Sequence, residues 1–181
     1  MQSFPLTPRL DALLALFYSQ AAEAGRFEEV EPADMPAVYR GLLAHEHHMT
    51  VTVEAHHGSP VDVQVLRKAV TSTHYARMIL LKRQSDGRVV QYGIMRINLS
   101  RLDDDVRRDV ESEKVPLGRI LIQHGVMRQV HLFSLWKVMP GPDLLRLFGL
   151  DQPTVMYGRT AIIDVDGEPA IELLEIVAPE E

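Results

Sequence analysis

The chain has 181 residues, 46% of them hydrophobic and 24% charged, with a formal net charge of −6 and no cysteine. This is the composition of an ordinary globular protein of domain size. It excludes disulfides, a thiol nucleophile and every Cys-ligated metal site, and an acidic chain without a basic stripe lacks the footprint of a nucleic-acid binder.

Met1–Arg9 carries Pro5 and Pro8 but no basic segment followed by an apolar run. Neither a signal peptide nor a membrane span is expected, and a cytoplasmic location follows as the default. Leu10, Leu13, Leu14, Phe17 and Ala21 recur at helical spacing, so 8–24 reads as an amphipathic helix stopped by Gly25. Phe27–Pro32 is acidic and reads as a loop. Asp34 and Pro36 open a second helix with Val38, Tyr39, Leu42 and Leu43 on its buried side.

Beyond His45, His47 and His48 the period changes to two. Met49, Val51 and Val53 predict a strand, and so do Val61, Val63 and Val65 after the Gly58-Ser59-Pro60 turn. Tyr75–Arg83 and Arg88–Asn98 form a hairpin across Ser85-Asp86-Gly87. Ser100 caps a helix through Leu102, Val106 and Val110. Pro116-Leu117-Gly118-Arg119 starts a short helix that Gly125 stops. Val126–Met139 is a long strand, Leu144–Phe148 a helical turn or two, and Val155–Val165 pairs with Glu168–Ala178 through Asp166-Gly167. The sum is a single α+β domain over 1–181: one curved antiparallel sheet of about six strands, with helices packed on one face.

Four features could carry chemistry. Arg77 shares a strand face with Tyr75, Ile79 and Leu81, where a guanidinium is costly unless an anion meets it; an edge arginine paired with a carboxylate is the plainer reading. Pro116–Arg119 offers free N–H groups at a helix start. Glu172 and Glu175 are three apart and so point to opposite faces; an inward carboxyl in an apolar wall would have a raised pKa and could act as an acid. His45, His47, His48, His56 and His57 could hold a metal, but no HExxH spacing is present and no metal is expected.

Read together, these segments resemble the chorismate lyase (chorismate–pyruvate lyase) family. The resemblance rests on Met49-Thr50 with Glu54, Arg77–Leu81 before Asp86-Gly87, Pro116-Leu117-Gly118-Arg119, Tyr157-Gly158-Arg159, Gly167-Glu168-Pro169 and Glu175 four residues before Pro179. Each is short; their order over residues 49–179 gives the likeness its specificity. It departs from the family in two places. Counted from Pro169, the glutamate falls one residue late, which keeps Glu172 open beside Glu175. The run His45–His48 is outside the pattern.

The resemblance implies a cofactor-free lyase that eliminates pyruvate from chorismate to give a hydroxybenzoate, most simply 4-hydroxybenzoate. Arg77 would grip the ring carboxylate, main-chain N–H groups of Met49 and Leu117 would donate to it, and Glu175 would face the hydroxyl or ether end as general acid. Aromatisation drives that reaction, so positioning, charge stabilisation and exclusion of water would suffice. The rival is a non-catalytic aromatic-acid sensor of the same fold, as in the UTRA domains of GntR-type regulators. Oligomeric state is not legible in the sequence.

Overall fold

A computed structural model describes residues 8–180. The reading of Met1–Thr7 as free of a leader lies outside the described residues. All seven described strands join one antiparallel sheet: β1 (Gly25–Val30), β2 (Val61–Val70), β3 (His74–Arg83), β4 (Val89–Asn98), β5 (Arg128–Pro140), β6 (Met156–Val165) and β7 (Glu168–Val177). Their order is β1-β5-β6-β7-β4-β3-β2. β2–β3–β4 and β5–β6–β7 are each neighbours in chain order, with α6 between β5 and β6, and β4 meets β7 in the middle. This is the expected α+β class with an antiparallel sheet.

Six described α-helices cover the sheet: α1 (Leu10–Ala15), α2 (Ala37–Leu43), α3 (Met49–His57), α4 (Asp104–Glu111), α5 (Leu117–Gln123) and α6 (Pro142–Phe148). Helices α2 to α5 pack their apolar sides onto the face that carries Tyr75, Ile79, Met95, Ile163 and Leu173. The other face, with Met78, Leu80, Tyr92, Ile94 and Leu174, also buries apolar side chains and is covered by α1 and α6. The helical cover is therefore two-sided, with the larger layer on one face. The strands explain this: β3, β4, β6 and β7 are each buried at seven or more of their ten positions, on both faces, and are rich in apolar residues as such strands must be.

Three local readings are corrected. Met49–His57 is helix and not strand. Alternating Val and Thr favour a strand, but a strand would turn Met49, Val51 and Val53 to one side, and Val51 is 50% exposed. The buried set is Met49, Thr50 and Val53, which is helical spacing, and Gly58 ends the helix in the left-handed region at φ 60°. Second, Phe27–Val30, the larger part of the expected Phe27–Pro32 loop, belongs to an edge strand, Gly25–Val30, paired with β5 from Gly25↔Pro140 to Val30↔Leu135. The first helix is correspondingly short, ending at Ala15. Third, Ser100 lies in a 3-10 turn, Leu99–Arg101, whose start is capped by Asn98 Oδ1, and α4 begins only at Asp104.

Candidate functional site

The motif segments meet between the sheet and the N-termini of α3 and α5. The cavity there is lined by Arg77, Ile79, Leu81, Gln91 and Met95 from β3 and β4, by Arg159, Ile163, Leu173 and Glu175 from β6 and β7, and by His48–Thr50 and Pro116–Gly118 from its cover. It contains about 450 Å³ of empty space, mouth included, but water-sized bodies reach only about 30 Å³ of it. A water or two fits as it stands; a larger ligand must part the cover.

Arg77 is 0% exposed. Its Nε donates to the thioether of Met95 (3.3 Å) and its Nη1 to the carbonyl of Val110 (3.3 Å). Its Nη2 is buried with no hydrogen-bond partner. No carboxylate is paired with it among the described residues; Glu113, the nearest acid felt by its charge, pairs with Lys68 (2.7 Å) and accepts from Tyr75 (3.0 Å). Burial pushes the guanidinium below its ordinary pKa, opposed by Tyr75 and then Glu113. A thioether, one carbonyl and the nearby Tyr75 hydroxyl, whose proton is given to Glu113, are weak compensation for a buried cation, so this group is poised for an anion.

Arg159, three strands away on β6, is also buried, yet every arm is engaged. Nε meets Glu175 Oε2 at 2.8 Å, Nη1 reaches the His45 carbonyl at 2.8 Å, and Nη2 reaches the His47 carbonyl at 2.9 Å. The histidine run is therefore structural: its carbonyls cap Arg159 and lead the chain into α3. His48 accepts from Arg128 Nε at 2.7 Å, and burial together with Arg128 and Arg159 holds its pKa down to about 4. It is a neutral side chain in the cavity wall.

Sequence reasoning expected Glu175 as an inward acid. It does face the cavity, whereas Glu172 points to the opposite face, where Nε and Nη2 of Arg96 both reach its Oε2. But Glu175 is the ion-pair partner of Arg159, and a proton-donor role would first require that pair to open. Between Pro169 and Glu175, strand β7 is irregular. Register shifts between Ile163 and Asp164: Asp164 pairs with Pro169 but Ile163 with Ile171, so β7 carries one extra residue, Ala170. The bulge brings Arg159 opposite Glu175; unbroken hairpin register would put Leu174 there.

Met49 and Leu117 are the first residues of α3 and α5, so their N–H groups have no partner within the helix. Gly118 lets the two starts approach: a Cβ there would lie 3.1 Å from Thr50 Oγ1 and 3.2 Å from His48 Cβ. Arg119 pairs with Glu54 Oε1, which also accepts from the Val61 N–H at 2.9 Å, tying α5, α3 and β2 together. Gly158 is needed for the same closeness in the sheet, since a Cβ would sit 2.6 Å from the Glu175 carbonyl oxygen. Sequence reasoning did not single out Gln91. It is 3% exposed, lines the cavity, and its Oε1 has no partner. A polar residue at Gln91 between apolar Val90 and Tyr92, in a strand otherwise buried, was the available signal.

Outside the cavity, His56, His57 and Glu180 bring three ligand atoms within 4.8 Å of one another. Arg83 and Arg88 line the same cleft, and two cations there disfavour a metal ion. His124 and His131 pair with Asp109 (2.7 Å) and Asp164 (2.9 Å). No described helix is long and apolar enough to cross a membrane.

No protein-family model matches the chain, and no curated protein matches it. Solved structures do. PhnF from Mycobacterium smegmatis superposes with a TM-score of 0.53 at 12% identity over 72% of this chain and 63% of that one. Its isolated effector domain gives 0.53 at 14% identity, with 72% and 87% covered. The ligand-binding domain of a candidate GntR-family transcriptional regulator from Bordetella bronchiseptica gives 0.52 at 12% identity, with 67% and 87% covered. The chain thus spans less than two thirds of whole PhnF. What these likenesses show is the fold: the chorismate lyase-like fold shared by the ligand-binding (UTRA) domains of GntR-family regulators.

Proposed function

We propose that this chain is a binding module for a small organic anion, held by Arg77 in the cavity beneath α3 and α5. One observation carries the reading: a fully buried guanidinium whose Nη2 has no partner, in a chamber whose other two charged groups, Arg159 and Glu175, are already paired with each other. Such a group is unfavourable in the free protein and becomes favourable when a carboxylate completes it. The fold likeness to ligand-binding domains of regulators supports a sensor over an enzyme.

A second reading keeps the lyase. Met49, Arg77, Leu117 and Glu175 all line this one cavity, as the family resemblance implies. In that reading Arg77 orients the ring carboxylate of chorismate, the ether C–O bond breaks as a ring proton is lost, and enolpyruvate leaves as pyruvate. Its weak point is the acid: Glu175 is already bound to Arg159.

Both readings are tested by mixing the protein with chorismate, following pyruvate, and titrating 4-hydroxybenzoate by calorimetry. The binding reading expects saturable heat that Arg77→Ala removes, and no pyruvate. Steady pyruvate release that Arg77→Ala abolishes would establish the lyase instead. Absence of both signals would end the assignment of this cavity.

A further inference from the structure

We infer that the cavity is selective for a monoanion with an uncharged hydrogen-bond donor at the end away from its charge, and that Gln91 reads that donor. This rests on the binding reading above and adds the class of ligand.

The charge inventory comes first. The charged groups lining the cavity are Arg77, Arg159 and Glu175. Arg159 and Glu175 satisfy each other at 2.8 Å. One uncompensated positive charge remains, at Arg77. A second anionic group on the ligand would find no cation and would face the Glu175 carboxylate.

The sheet register then places the second contact. Across the floor, Arg77 stands in a row with Met95 and Leu173. The next row on this face is Ile79, Gly93, Glu175 and Arg159, and the one beyond is Leu81, Gln91 and Val177. Arg77 and Gln91 are thus two rows apart, roughly 13 Å between backbones at about 3.3 Å per residue. Gly93, which has no side chain, occupies the row between them. A ligand lying lengthwise over Gly93 with its anion on Arg77 brings its far end toward Gln91. The walls along that line are Ile79, Leu81, Val130, Ile163 and Leu173, which suit a ring or hydrocarbon body.

Gln91 is 3% exposed and its Oε1 is unpaired. A buried acceptor without a partner is unfavourable, and a hydroxyl or amino group on the ligand relieves it. It is the second orphan polar atom in this cavity besides Arg77 Nη2, and they are the two such side-chain atoms among the described residues. One orphan calls for an anion and the other for a neutral donor. Para-hydroxy and para-amino aromatic carboxylates have this arrangement. Dicarboxylates, chorismate among them, do not.

The test is calorimetry at pH 7.5 with benzoate, 4-hydroxybenzoate and terephthalate, on the wild-type chain and on Gln91→Leu, Gln91→Arg and Arg77→Met, each checked by thermal melting. The wild type should bind 4-hydroxybenzoate about tenfold more tightly than benzoate, the worth of one neutral hydrogen bond, and terephthalate more weakly than either. Gln91→Leu should bring the two monoanions level while keeping benzoate affinity. Gln91→Arg should make terephthalate the preferred ligand, which a merely structural role for Gln91 does not predict. If benzoate binding depends on Arg77 but the ranking of the three probes is unchanged in both Gln91 variants, this inference falls and the binding reading stands. If no probe binds the wild type, both fall.

Discussion

On the sheet face covered by α1 and α6, Tyr92 donates to the Tyr18 hydroxyl at 2.9 Å and Tyr18 donates to Asp143 at 2.8 Å, a closed chain in which every buried oxygen has a partner. On the face covered by α2 to α5, Arg77 Nη2 and Gln91 Oε1 end without one. Both faces are apolar, and both bury polar groups among the same kinds of side chains. The difference is satisfaction. A completed network holds a core together; an incomplete one leaves free energy that a ligand can release.

The sharpest way to break this contrast is Arg77→Met. On the functional face, it should weaken carboxylate binding on the order of a hundredfold or more. It should also raise stability, by about 1 kcal/mol, because a buried cation with poor partners is replaced by a shorter, flexible apolar chain. A loss of stability in urea unfolding would show that Arg77 is satisfied after all.

Glu175→Gln tests the neighbouring pair. It strips the counter-charge from Arg159, leaving that residue an amide oxygen and the His45 and His47 carbonyls, and should cost about 2 kcal/mol. An unchanged unfolding midpoint would remove the pair from the structural frame of the site.

A smaller effect is expected from pH. Folding lowers the His48 pKa from 6.5 to about 4, so between those values the unfolded chain takes up a proton that the folded chain does not. Stability from this residue is present above about pH 6.5 and is lost as pH falls toward 4. His48→Asn should flatten that part of the pH–melting-temperature curve relative to the wild type. Parallel curves would show that His48 is exposed to solvent in solution.

The smallest effect belongs to the opposite face. Tyr92→Phe removes one neutral hydrogen bond while Tyr18 keeps Asp143, so about 1 kcal/mol of stability should be lost with no change in ligand affinity. An effect on binding would mean that the two faces are coupled through the sheet.

Sequence made the centre of this fold legible and its margins obscure, for physical reasons. Strands β3, β4, β6 and β7 carry long apolar runs closed by Asp86-Gly87 and Asp166-Gly167, and local turn chemistry fixes those hairpins. The parity of Arg77 with Tyr75, Ile79 and Leu81 follows from the strand alone. Met49–His57 misleads because Val and Thr propensity favours a strand, while packing of Met49 and Val53 against the core decides for helix. β1 is acidic and takes its structure from its neighbour β5, which local sequence does not reveal. The Arg159–Glu175 pair depends on the bulge at Ala170, and no pattern in β6 or β7 announces a one-residue shift. Gln91 stands out in sequence only as a polar residue between Val90 and Tyr92; that its amide is unsatisfied is a property of its surroundings.

A crystal structure of the chain grown with 4-hydroxybenzoate tests the central claim most directly. It should show the ligand carboxylate within about 3 Å of Arg77 Nη2, the cover at Met49 and Leu117 displaced to admit the ring, and the Arg159–Glu175 pair still closed. A protein carboxylate bound to Arg77, with the ligand absent from the cavity, would contradict the account.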